Sequence, residues 1–247
     1  MIAKTVARKC YMAVPHEENG PIVAPLVWWL LRLPSFFPPG HVAFDSTPGG
    51  DFKVSSARNR IVRRFLATPY DWLWMADADM HPWVQGLVPS PHGAQHVIEA
   101  MERDDVDILT GFFLRFGEGG GPVPSVSSRH GRDRVLKDVF AKPPGLHEVH
   151  GLTAGGACLA VKRHVFEKFL EKRVLWFRDE WNERDPEKWG DLLTSEDTWF
   201  FYQAQELGFR IWIDTRMAWG HIKPIDMRDE LKRTRNLVAL PGGSHGS

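Results

Sequence analysis

Cysteine is nearly absent from this chain: only Cys10 and Cys158 occur, each inside an apolar run. That excludes a disulfide framework and a cysteine-based zinc site, and points to reduced core residues in a cytosolic protein. Net charge is missing too. Lys plus Arg and Asp plus Glu stand at 31 each, so no overall field calls for nucleic acid or a membrane, although a local patch stays compatible with this balance. The most hydrophobic segment, Ile22 to Leu33, is too short to span a bilayer, and the N-terminus lacks the apolar core of a secretory signal. The expected location is cytoplasmic. No internal repeat is present. What remains is an ordinary globular composition of 43% hydrophobic and 25% charged residues over 247 positions, enough to bury a full core. The expected organisation is a single domain over residues 1–225, with a charged C-terminal extension and flexible tail over 226–247.

The stretch that organises the chain is Trp72-Leu-Trp-Met-Ala-Asp77-Ala-Asp79-Met-His-Pro82, an apolar run that ends in two aspartates one residue apart. Side chains alternate along extended backbone, so Asp77 and Asp79 project to one side if strand geometry persists to that point. Paired carboxylates suit a hard divalent cation, Mn²⁺ or Mg²⁺, that keeps positions open for substrate phosphates. An Asp-x-Asp pair is also what a strand-to-turn junction before a proline produces.

Around this motif the chain alternates strands and helices. Lys9 to Val14 reads as a buried strand stopped by Pro15, Ile22 to Leu33 as a helix, and His41 to Asp45 as a second strand. A helix from about Ser55 to Thr68 follows. Ala57, Ile61, Phe65 and Leu66 mark its apolar face, with Arg58, Arg60, Arg63 and Arg64 largely off it. The strand Trp72 to Ala76 then places the aspartates where open α/β sheets bind ligands, outside the C-terminal strand ends. Further on come a helix over Gly93 to Asp104 and a strand over Asp107 to Phe113. The glycine run Gly117 to Pro122 and a hairpin or excursion from Ser125 to Val139 follow. Leu152 to Val161 reads as a strand whose glycine pair, Gly155 and Gly156, admits close approach of another group or forms a bulge. A helix over Arg163 to Glu171 leads to a polar loop with Trp181 and Trp189. Thr194 with Asp197 resembles a capping pair at the next helix, which runs to about Leu207. Arg210 to Asp214 and Trp219 to Lys223 read as strands, the second carrying His221 and Lys223.

In this order the motifs resemble the GT-A fold glycosyltransferases, most like family 2, at four places: the strand ending at Pro15, Ala57-Arg58-Asn59 ahead of Asp77-Ala78-Asp79, Thr153 to Gly156, and Ser195-Glu196-Asp197 followed by His221. The resemblance covers roughly Lys9 to Lys223. It implies a Rossmann-like three-layer α/β fold with a mixed central sheet, a nucleotide-diphosphate sugar donor, commonly a UDP-sugar, and a divalent metal cofactor. It further implies that Asp79 coordinates the metal, that Asp77 contacts the ribose or the metal shell, and that His221 adds a ligand. Pro15, His16, Glu17 and Asn19 would hold the base, with Asp45, Arg58, Asn59 and Ala78 along the nucleotide, Lys223 at the diphosphate, and Gly155 and Gly156 facing donor sugar or acceptor. Asp197 would be the base that activates the acceptor, supported by Glu196; Arg58 read on its own is equally a solvated helix charge. The Gln-x-x-Arg-Trp motif of processive synthases is absent, which implies single transfer. A metal-dependent phosphoesterase or nuclease using Asp77, Asp79, Glu196, Asp197 and His221, or a carbohydrate-binding protein using the tryptophans, fits the same residues. The acceptor is open: glycan, lipid, protein, metabolite or nucleic-acid base, the last kept in view by Arg129, Arg132, Arg134 and the stretch from Lys232 to Arg235.

Overall fold

A computed structural model describes residues 7–16, 22–48, 54–82, 92–116, 122–128, 139–156, 158–181 and 192–221. Its centre is a mixed sheet with the strand order β2-β1-β3-β10-β5-β13-β4. These strands are β1 (Cys10–His16), β2 (Val42–Pro48), β3 (Trp72–Ala76), β4 (Met80–Pro82), β5 (Ile108–Phe116), β10 (Cys158–Lys162) and β13 (Ile211–His221). Two short strands extend it, β6 (Pro122–Pro124) pairing with β5 and β8 (Leu146–Glu148) with β13, while β7 (Val126–Ser128) with β9 (Leu152–Ala154), and β11 (Glu180–Trp181) with β12 (Leu192–Thr194), form two separate two-stranded sheets. The helices are α1 (Ala24–Arg32), α2 (Val54–Leu66), α3 (His92–Met101), α4 (Arg163–Glu171) and α5 (Glu196–Glu206).

Both faces of the sheet are covered, which is why its strands read as unbroken apolar runs rather than alternating ones. Along β1, Tyr11 and Ala13 enter one cluster with Ile61, Val62 and Phe65 of α2, Phe166 and Phe169 of α4, and Phe200 and Phe201 of α5. Cys10, Met12 and Val14 enter the other, with Leu26 and Trp29 of α1 and Val97, Ile98 and Met101 of α3. The result is three layers, helix on sheet on helix, the architecture expected from the motif order. Cys10 and Cys158 are buried free thiols within it. Among the described residues no helix is long and apolar enough to cross a membrane.

Several boundaries differ from expectation for identifiable reasons. Pro15 does not stop β1, which continues to His16 with Pro15 opposite Thr47; its missing N–H costs no ladder bond because pairing with β3 has already ended at Ala13. The expected single strand over Leu152 to Val161 is two, β9 and β10, separated at the glycine pair. The two expected C-terminal strands are one, β13, whose register slips between Ile213 and Ala218 as a bulge. The segments 117–121, 129–138 and 222–247 lie outside the described residues.

Candidate functional site

The pairing of β10 decides where the candidate residues meet. It runs antiparallel to β3, with Cys158 opposite Ala76, so Gly155 and Gly156, just before β10, come to the sheet edge where Asp77 follows β3. The strand β5 is antiparallel to β10 and β13 is parallel to β5, which returns the C-terminal end of β13 to that edge. There His221 stands opposite Met80, one residue from Asp79. Three separate stretches therefore converge at one end of the sheet.

Asp77 and Asp79 do not lie on extended backbone. β3 ends at Ala76, and the N–H of Met80 donates to the carbonyl of Asp77 at 3.1 Å, so Asp77 to Met80 form a turn rather than extended backbone. Both aspartates are half-buried. The carbonyl of Ala78 accepts from the N–H of Val23 at 2.9 Å, which docks the start of α1 onto this turn.

Arg58 is the largest correction. It is not a solvated helix charge: it is 2% exposed and lies inside, between two acidic groups. Its Nη2 donates to Asp77 Oδ1 at 2.9 Å and Oδ2 at 3.0 Å, and its Nη1 donates to Glu196 Oε1 at 2.5 Å. Burial pulls the guanidinium pKa down, but Asp77, Glu196 and Asp197 more than offset this and hold it above its ordinary value. Gly156 makes the placement possible, since a Cβ there would run into Nη1 of Arg58 and stand 2.7 Å from its Cζ. At Gly155 a Cβ would meet the Phe113 ring at 2.8 Å. The close approach expected at the glycine pair is thus made by side chains of the protein itself.

On the other side of Arg58, α5 begins at Glu196 with Ser195 as its N-cap, not Thr194, and no side-chain cap bond is formed. Asp197 instead organises the turn. Its Oδ1 accepts from the Ser195 hydroxyl and, at 2.7 Å, from the N–H of Thr198, while Oδ2 accepts from the N–H of Gly156 at 3.2 Å. Glu196 is buried, and burial raises its pKa; the Arg58 charge opposes this, while the negative charges of Asp197 and Asp179 add to it, and the net shift is upward. Asp179, which is not among the residues expected at the site, also accepts from Ser55 Oγ at the start of α2 at 3.2 Å. Nothing in its polar loop marked it out.

The remaining candidates divide. Asp45 lies within β2 beside Ala13, where it accepts from the Tyr11 hydroxyl at 2.9 Å and from Arg64 at 3.0 Å. Asn59 commits its amide to the backbone of Phe177, donating to its carbonyl at 2.7 Å and accepting from its N–H at 3.2 Å. Neither is brought to the acidic group. Pro15 and His16 end β1, opposite Thr47 and Pro48 of β2. Glu17, Asn19, Lys223 and Trp189 lie outside the described residues, and His221 is placed by its backbone alone.

A divalent cation fits this end of the sheet in its donor chemistry. Asp77 and Asp79 bring hard carboxylates to one turn, with the backbone of His221 alongside, and the Asp77 oxygens, which already accept from Arg58, keep further lone pairs. Among the described residues no group of three or more His, Cys, Asp or Glu side chains is arranged to hold a metal ion, so these two carboxylates do not by themselves make a complete metal site.

No protein-family model matches the sequence, and no curated protein matches it. Solved structures do. A197 from STIV aligns over 87% of this chain and 86% of its own at 16% identity with a TM-score of 0.52, a likeness of fold. GalNAc-T7, solved with UDP, GalNAc and Mn²⁺, aligns over 89% of this chain and 44% of its own at 12% identity, with a TM-score of 0.49. A glycosyltransferase involved in glycosylation of the major capsid of PBCV-1 aligns over 91% of this chain and 99% of its own at 11% identity, with a TM-score of 0.47.

Proposed function

We propose that the protein is a metal-dependent glycosyltransferase that moves a sugar from a nucleotide-diphosphate sugar, a UDP-sugar on the family resemblance, to an acceptor hydroxyl with inversion. The observation that carries this reading is the joining of two acidic motifs through one buried guanidinium. Arg58 bonds Asp77 directly and bonds Glu196 from 138 residues away in sequence. A donor-end carboxylate turn and a base-bearing helix start are therefore parts of one site.

The chemistry follows from these groups. Asp77, Asp179, Glu196 and Asp197 form an acidic group around Arg58, and a diphosphate entering such a field is repelled unless a cation accompanies it. Asp79 and Asp77, with His221, would hold that cation, which when bound offsets phosphate charge on the departing nucleoside diphosphate. Asp197 is the group that takes the acceptor proton. Its carboxylate is fixed by three donors, and Oδ2, which among the described residues accepts only from Gly156, keeps capacity for one more bond. As the acceptor oxygen attacks the anomeric carbon, its proton passes to Asp197 and the bond to the diphosphate breaks. Glu196 cannot take that part while its carboxylate is buried against Arg58.

Thermal denaturation with nucleoside diphosphates and their sugars, in Mn²⁺, Mg²⁺ or chelator, tests the reading. A ligand at about 100 times its Kd stabilises by roughly 2.7 kcal/mol, a rise of about 5–10 °C for a chain of this size. Stabilisation should require metal and disappear in Asp79→Ala. If no nucleotide shifts the transition with either metal, the transferase reading is abandoned.

A further inference from the structure

We propose that Arg58 is the positioning residue of this site, its one guanidinium tying the donor end at Asp77 to the base end at Glu196 and Asp197. The inference rests on the transferase reading and deepens it, because the family resemblance placed Arg58 along the nucleotide instead. The geometry leaves the guanidinium little with which to touch a ligand. Both Asp77 oxygens are taken by Nη2 and Glu196 by Nη1. Nε is buried with no hydrogen-bond partner among the described residues. The Phe177 ring lies 5.7 Å from the guanidinium carbon, and the Gly156 backbone closes in from another direction. A side chain 2% exposed and enclosed in this way acts through its partners.

Those partners need it. Asp197 holds the first turn of α5 from within, through the Ser195 hydroxyl and the Thr198 N–H, but these bonds are local to the turn and do not set where its first residue stands against the Asp77 turn. Glu196 is that residue, and its bond to Arg58 sets where the first turn, and Asp197 within it, stands relative to the Asp77 turn. Asp197 is held from the same direction, by the N–H of Gly156, whose backbone lies against Arg58. A base misplaced by about 1 Å loses on the order of a hundredfold in rate, so the link acts on turnover more than on donor affinity.

The test measures UDP release from UDP-sugars with Mn²⁺, water serving as acceptor, together with calorimetric binding of Mn²⁺ and UDP, in wild type, Arg58→Lys, Glu196→Gln and the double variant. Lysine keeps the charge but cannot span two carboxylates with a planar fork. The expected result for Arg58→Lys is a loss of about thirtyfold or more in kcat, with UDP affinity and donor KM within about threefold, the signature of a group acting only in the transition state. The losses in the double variant should overlap rather than multiply, because both substitutions cut one link. A raised KM with unchanged kcat would identify Arg58 as a direct nucleotide contact and overturn the proposal, and so would fully multiplicative losses. If Arg58→Lys does not fold, Arg58→Gln/Glu196→Gln removes the pair's charges together and must show the same split between kcat and affinity. Absence of both UDP binding and UDP release in wild type defeats the transferase reading, and this proposal with it. Normal wild-type behaviour with an unaffected Arg58→Lys defeats this proposal alone.

Discussion

Gly156→Ala probes the architecture of the site with a single methyl group. The added Cβ would run into Nη1 of Arg58 and stand 2.7 Å from its Cζ and 2.9 Å from its Nη2. A flexible side-chain end could swing aside from such a contact, but this one is pinned by bonds of 2.5 Å to Glu196 and 2.9 and 3.0 Å to Asp77. Two responses remain. If the backbone shifts and the ion pairs survive, the cost is that of overpacking, about 1–3 kcal/mol. If the guanidinium is displaced and Glu196 is left buried beside other carboxylates, the cost is that of a broken buried pair, about 3–5 kcal/mol. Taking roughly 3 kcal/mol and about 2–4 °C per kcal/mol for a chain of this length, the transition should fall by about 6–12 °C. Calorimetric melting of wild type and variant measures it. The same substitution in an Arg58→Met/Glu196→Gln background should cost far less, because the atoms it strikes are gone. A melting point within about 2 °C of wild type, or an undiminished cost in that background, would refute the claim that Gly156 is glycine because of Arg58.

Three further expectations follow from other contacts. Asp197→Asn should leave metal-dependent UDP binding within about threefold while lowering transfer by at least about a hundredfold, the scale of a lost general base; single-turnover assays alongside calorimetry check this. Arg163→Met should destabilise by about 2 kcal/mol without touching nucleotide binding, since charged hydrogen bonds to backbone are worth roughly that. The Arg163 guanidinium caps the end of α2 by donating to the carbonyls of Phe65, Leu66, Thr68 and Tyr70. Asp107 is pushed up by burial, but bonds from His164 and the Arg210 N–H, with the charges of both residues, leave its pKa below the ordinary 3.8. A carboxyl lowered in the folded state lends stability that is present above the unfolded value and lost as pH falls through the folded one. Asp107→Asn should therefore melt lower than wild type at neutral pH, with the gap closing below pH 3.8 in melts taken across the acid range. A gap that widens on acidification would show that the sign is wrong.

The layered fold was readable because its strands are covered on both faces: runs such as Cys10 to Val14 and Trp72 to Ala76 stay apolar at every position, and the helices between them carry stripes. The site was half readable. Asp77 announces itself as an acidic residue at the end of such a run, Glu196 and Asp197 as an acidic pair opening a helix, and Gly156 announces that something approaches its backbone. What approaches is set by Arg58, which stands three, four and seven residues before Ile61, Val62 and Phe65 and so on the buried face of α2, and whose partners arrive from a strand end 19 residues on and a helix start 138 residues on. Arginine is almost never fully buried unless paired, and although its spacing puts Arg58 on the inward face, no local pattern reveals the two distant carboxylates that pair with it. The antiparallel insertion of β10, which swings Gly156 beside Asp77, is equally invisible to periodicity, because strand direction is a property of the pairing and not of the run.

These two hidden features depend on each other. Reverse β10 and Gly156 would lie at the far end of the sheet, leaving no bare backbone for the guanidinium to lie against; replace Arg58 and Glu196 is left buried in the field of Asp197 and Asp179 without its cation. Breaking one partner of a buried pair costs about 3–5 kcal/mol, whereas replacing both by well-packed apolar groups is often neutral. Stability alone therefore does not require this arrangement. A fixed relation between the Asp77 turn and Asp197 does, and that relation is what the Arg58 and Glu196 variants measure.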